Sequence, residues 1–144
     1  MENKNLETLR NLTFSVLEDM CFLMRSEPEF SEASSATPII VNINCGEKYD
    51  IFIQFDRMLA ETITQNLLGS PETSANQDLS ISSIKEIANM IGGSFMNNLD
   101  MPASARLSIP EVVDPDFSEE LDQEKTVSDV IYIDDRPIKL TLAG

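Results

Sequence analysis

The chain has 144 residues, 42% apolar and 24% charged, which suits one domain with its own core and neither a disordered nor a membrane composition. Lys plus Arg total 10 against 25 Asp plus Glu, a formal charge of −15, so phosphate backbones and anionic lipid are repelled, and neither nucleic acid nor a membrane is expected as a partner. Histidine is absent, which removes Ser–His and Cys–His nucleophile systems and His-containing zinc sites together with the one side chain that titrates near neutrality unperturbed.

The start, Met1-Glu2-Asn3-Lys4-Asn5, lacks the basic and then apolar order of a signal peptide. No apolar run approaches the roughly 18 residues that a membrane span needs. The chain therefore reads as soluble and cytoplasmic. Leu6, Leu9, Leu12, Val16, Leu17, Met20 and Met24 recur at helical spacing and predict a helix over 5–25, ended by Pro28. A Glu-, Ser- and Ala-rich loop follows at 27–37. Ile39 to Cys45 and Tyr49 to Phe55 alternate in hydropathy around Gly46-Glu47-Lys48, which predicts a β-hairpin. Cys21 and Cys45 lie in apolar surroundings and read as buried reduced thiols.

Asp56 can cap a helix over 57–68, which Gly69 and Pro71 close. A polar loop is expected at 70–77. The next helix is predicted over 79–99, capped by Asp78 or Ser80 and ended by Pro102, with an apolar stripe of Ile84, Ala88, Ile91, Phe95 and Leu99. Strand patterns follow at 106–113, 125–134 and 137–142. Pro110 demotes the first to an edge strand or marks a bulge, and Asp134-Asp135-Arg136-Pro137 is the last hairpin turn. A long helix followed by β-pairs thus occurs twice. Two long helices with five strands predict an α+β two-layer sandwich, the helices side by side on one face of a mainly antiparallel sheet.

Glu86, Asn89, Gly93 and Asn97 share one stripe of the third helix, away from the apolar one. Each glycine inside a helix costs about 1 kcal/mol relative to alanine. The Gly92-Gly93 pair therefore implies close approach by something, either the other long helix or a partner. A non-titrating carboxamide at Asn89 can hold a water in line with a phosphorus, and a carboxylate one turn away can pair with a lysine or orient the same water. Lys85 is the single cation nearby, and no Gly-rich phosphate loop exists. Such a chain cannot run phosphoryl chemistry alone but can complete a site on another protein. Glu18-Asp19 on the first helix and the acids of 111–135 read as solvated, since the latter lack the order of a calcium loop. Met20, Met24, Met58, Met90 and Met96 read as core filler.

Glu86-x-x-Asn89-x-x-x-Gly93 on a long helix resembles the signature helix of the CheX/CheC/FliY chemotaxis phosphatases, and Phe14-Ser15-Val16-Leu17-Glu18-Asp19-Met20 is similar to CheX-like proteins. The resemblance covers about residues 6–142 as one domain. It implies a phosphatase for the aspartyl phosphate of a CheY-type response regulator, with Glu86 and Asn89 as the catalytic pair. Asn89 would position the attacking water, and Glu86 would contact the regulator's lysine. It implies no cofactor of the chain's own, magnesium belonging to the partner receiver domain. A homodimer is implied too. Members with two sites carry Glu-x-x-Asn on both long helices. Here Glu18 is followed by Cys21 and Arg25 where Asn and Gly would stand, so one site is expected. The competing reading is a non-catalytic receiver-binding or flagellar-switch adaptor with the same fold.

Overall fold

The computed structural model describes residues 3–69 and 77–144. Element order is α1 (Asn3–Cys21), β1 (Ile39–Cys45), β2 (Tyr49–Phe55), α2 (Arg57–Leu68), α3 (Gln77–Asn97), β3 (Glu111–Val113), β4 (Thr126–Ile133) and β5 (Arg136–Ala143). The strands form one antiparallel sheet in the order β3-β1-β2-β5-β4. The architecture is α+β, as the helix and strand periods require.

Strand alternation decides what each face buries. Val41, Ile43, Ile51, Ile53, Phe55, Ile138, Leu140 and Leu142 point into the core shared with all three helices, and all are fully buried. Cross-strand pairs keep this face in register: Val41 lies opposite Ile53, Ile53 opposite Leu140, and Ile131 opposite Ile138. From the helix layer, Leu9, Leu17, Ile63, Ile84, Ile87, Ile91 and Phe95 fill the same core. Helices α1 and α3 touch each other over this face, α1 resting on β4 and β5 and α3 on β1.

Local chemistry matches several expected boundaries. The β1–β2 hairpin spans the predicted residues, with Gly46 (φ 64°) and Glu47 (φ 60°) left-handed in its turn. Asp56 caps α2 by accepting from the Met58 and Leu59 amides, and Gly69 closes it at φ 70°. Asp134 (φ 51°) and Asp135 (φ 59°) make the two-residue turn between β4 and β5, the mirror-type geometry that a right-twisted hairpin favours.

Other boundaries moved. α1 stops at Cys21, well before Pro28, because Phe22 turns left-handed at φ 57°. That turn buries Leu23 and sends residues 24–26 along the end of β4, where the Ser26 amide donates to Tyr132 O (3.0 Å) and the Asp134 amide to Met24 O (2.8 Å). These bonds and the burial offset a conformation that costs a non-glycine residue on the order of 1 kcal/mol. α3 starts at Gln77, so Asp78 and Ser80 sit inside its first turn rather than capping it, and the loop predicted at 70–77 otherwise lies outside the described residues. It ends at Asn97, leaving Leu99 beyond it, half-buried against the core. The strand expected at 106–113 is broken at Pro110. Leu107 makes one bridge with Cys45, and only Glu111–Val113 pair regularly with β1, as an edge strand.

β3 and β4 stand at opposite edges, so the acidic segment 114–125 between them must cross the second face of the sheet. Phe117 stacks on Phe52 at 4.3 Å between ring centroids, and Phe117 and Leu121 pack with Ile40 and Ala143. The acids of this segment are exposed, as expected, but the segment is more than a solvated loop: two apolar side chains strap it to the sheet.

The two glycines of α3 prove different. A Cβ on Gly92 would stand 3.1 Å from Ile43 Cδ1 and Cγ2 and 3.2 Å from Leu107 Cδ1, so the close approach is to the sheet and not to α1. A Cβ on Gly93 would meet nothing nearer than Leu107 Cδ2 at 4.0 Å. Urea unfolding should separate them. Gly93→Ala is expected to raise stability by about 0.5–1 kcal/mol through helix propensity. Gly92→Ala should lower it by about 1 kcal/mol, since forcing a methyl against the immobile Ile43 outweighs the same gain.

Candidate functional site

The buried arc of α3 runs through Ser80, Ser83, Ile84, Ile87, Ala88, Ile91, Gly92 and Phe95. At about 100° per residue, these positions cover one half of the helix and leave a stripe centred near Asn89 on the other. Glu86, Asn89 and Asn97 are exposed there and Gly93 is half-buried, so the structure brings the predicted residues together on one open face. Glu86 precedes Asn89 by about 4.5 Å along the axis and lies about 60° around it. Neither side chain bonds to another described residue. Two polar groups are thus held exposed on a long helix with no bond to any other described residue.

Three grooves of about 700, 300 and 310 Å³ are lined respectively by the strap with Asp50 and Phe52, by residues around Asp56 and Lys139, and by the Gly46 turn with Arg106. Neither Glu86 nor Asn89 lines any of them. Small-molecule sites are concave and bury most of their ligand. A protruding Glu–Asn pair instead suits insertion into a cleft of another macromolecule. The acidic strap lies on the far face of the sheet, which keeps its charge away from α3. Among the described residues, no group of three or more His, Cys, Asp or Glu is placed to hold a metal ion.

The matching positions on α1 are arranged otherwise. Cys21 is fully buried and closes the helix, while Arg25 lies past its end. The Arg25 Nε donates to Glu18 Oε1 at 2.7 Å, and its guanidinium covers the Phe14 ring at 4.2 Å. Glu18 is thereby engaged within the chain, and no exposed Glu–Asn pair stands at these positions of α1.

One feature escaped the sequence reading. Met20, Met24 and Met58 are not core filler: they are 42%, 76% and 47% exposed, and Phe22 beside them is 78% exposed. For Met24 the reason is that α1 ends at Cys21, so helical spacing no longer fixes its direction; Met20 and Met58 lie within α1 and α2, outside the buried sides of those helices. Met90 and Met96 do pack against the core.

Both cysteines are free and fully buried. Burial pushes each thiol up to about 11, for Cys45 with help from the nearby Asp50 charge. Neither can be a thiolate nucleophile at neutral pH. A thiol-specific disulfide reagent at pH 7 should label neither cysteine in the native chain and both in denaturant. Rapid native labelling of Cys21 would contradict the burial described.

Comparison with known proteins adds family and fold. The sequence profile of the family described as chemotaxis phosphatase CheX matches residues 39–132. No curated protein sequence matches the chain. A chemotaxis protein CheX from Vibrio vulnificus superposes with a TM-score of 0.71 at 19% identity, over 97% of this chain and 98% of that one. A CheC-like superfamily protein from Shewanella sp. PV-4 does so at 0.71 and 16% identity, over 99% and 98%. A structure of CheX in complex with CheY, BeF3 and magnesium, from Borrelia burgdorferi, matches at 0.65 and 16% identity, over 96% of each chain. No described helix is long and apolar enough to cross a membrane.

Proposed function

The chain belongs to the chemotaxis phosphatase CheX family, and from that premise we propose that its α3 face hydrolyses the aspartyl phosphate of a CheY-type receiver domain. The observation that carries the reading is the exposed Glu86–Asn89 pair, which bonds to no other described residue and lines none of the three grooves above. The CheX–CheY complex among the fold neighbours supports the choice of partner.

In this reading the helix enters the receiver's active site. Asn89 holds a water through its carboxamide, in line with the phosphorus. The water oxygen bonds to phosphorus, the bond from phosphorus to the aspartyl oxygen breaks, and the products are inorganic phosphate and the free aspartate, with the water's proton carried off on phosphate. Glu86 pairs with a lysine of the receiver and fixes the docked geometry. Magnesium, held by the receiver, supplies neutralisation of the phosphoryl charge. This chain contributes placement rather than acid–base chemistry, since it has no histidine and its thiols are protonated. The reaction belongs in the cytoplasm, where receivers act.

Pairing of two copies is also proposed. β3 and β4 are edge strands, and among the described residues the backbone of 24–26 covers the outer side of β4 at its Tyr132–Asp134 end. Unpaired backbone along an edge favours addition of another strand.

Asn89→Ala should slow receiver dephosphorylation at least ~100-fold, the usual cost of losing one well-placed polar group at a transition state. Its folding stability should change by no more than about 0.5 kcal/mol, since the side chain is exposed and bonds to no other described residue. Glu86→Ala should raise KM and lower kcat together. Gly93→Ala, though stabilised, should lose activity by crowding the approach. Phosphate lifetime on the receiver, measured with saturating variant, decides these; an Asn89→Ala chain as fast as the parent overturns the mechanism. Light scattering at micromolar concentration should give twice the 16.1 kDa chain mass, and a monomer mass would refute the pairing.

A further inference from the structure

Lys85 is the one cation of α3. A helix lysine usually pairs with an acid three or four positions away. Here those positions hold Ile81, Ser82, Ala88 and Asn89, so no such partner exists. It sits mid-helix, away from the C-terminal carbonyls that cations stabilise. The arginines are all engaged by the chain itself. Arg10 meets Asp129 and Arg25 meets Glu18, while Arg57 donates to Thr37 O, Arg106 to the carbonyls of Ala103 and Ala105, and Arg136 to Glu32 O. Lys85 makes no ion pair or hydrogen bond with any described residue. In a chain of charge −15, an unpaired lysine beside the functional stripe has no evident role in folding.

Its placement suggests another. Lys85 and Glu86 both lie about one turn before Asn89, on opposite sides of it: Glu86 about 60° one way, Lys85 about 40° the other. Helical side chains lean toward the N-terminus, so the Asn89 carboxamide leans back toward the turn that carries Lys85 and Glu86. A phosphoryl group presented to the Asn89 carboxamide would therefore have a carboxylate on one flank and an ammonium on the other. Half-burial of Lys85 holds its stem against the helix layer and reduces the entropy lost on contact.

We propose that Lys85 is a further substrate-contacting residue, whose ammonium bonds to phosphoryl oxygen in the docked complex and draws this acidic chain toward a phosphorylated, carboxylate-rich receiver site. The proposal rests on the reading of α3 given above, and its test is built to fail separately. Initial rates on a phosphorylated receiver are measured for the parent, Lys85→Gln, Lys85→Arg and Asn89→Ala, at several salt concentrations. Affinity for the beryllofluoride-activated receiver is measured alongside. Losing a charge-assisted hydrogen bond should lower the kcat/KM of Lys85→Gln about tenfold. The salt dependence of its kcat/KM should flatten. Lys85→Arg should keep most of both, and thermal unfolding of all three should match the parent. Lys85→Gln with parental kcat/KM and salt slope, beside a disabled Asn89→Ala, overturns the role of the lysine and leaves the site standing. Asn89→Ala as active as the parent overturns the site, and the lysine with it. If the parent binds the activated receiver without hydrolysing its phosphate, the same variants are read in Kd: a weaker Lys85→Gln complex supports the contact and an unchanged one refutes it.

Discussion

Everything at the functional face depends on how closely α3 lies against β1. Gly92 has no side chain, and Ile43 and Leu107 occupy the space that a methyl would need. A larger residue there would lift or roll the helix. Roll matters most, because the helix divides into a buried half and an exposed half around one axis. With Ile84, Ile87, Ile91 and Phe95 locked into the core, Glu86, Asn89 and Gly93 have one orientation left. The Phe95 ring meets Tyr49 edge-on at 6.0 Å between centroids, which holds the C-terminal end of α3 over the hairpin. Apolar packing that does no chemistry thus sets the geometry of groups that can.

The two long helices share a layer but have diverged in use. On α3 the polar stripe is kept free. On α1 the corresponding positions have turned inward or toward each other: Cys21 is buried in the core, and Arg25 binds Glu18 while covering Phe14. An exposed ion pair of this kind adds little stability. Its consequence is occupancy, since Glu18 is no longer available to a partner.

The surplus of negative charge is also distributed by the fold. The strap that joins the two edges of the sheet carries a run of acids, and Phe117 and Leu121 pin it to the face opposite the helices. The charge is thereby held on the face opposite α3, and exposed charges farther apart than a Debye length of about 8–10 Å are largely screened from each other.

Much of this architecture was legible in the residues themselves. Alternation over Ile39–Cys45 and Tyr49–Phe55, the Asp56 cap, the Gly69 stop and the Glu86/Asn89 stripe are local patterns with periods of 2 and 3.6, and local patterns are readable without a neighbour. The length of α1, the break at Pro110, the exposure of Met24 and the separate duties of Gly92 and Gly93 were not. Each depends on contacts between segments distant in sequence: Met24 and Ser26 against β4, Leu107 against Cys45, and Gly92 against Ile43. The sequence alone determined that a helix presents a Glu and an Asn one turn apart. Only tertiary packing decided that the pair is left exposed, because burial is a property of what lies opposite a residue and not of the residue itself.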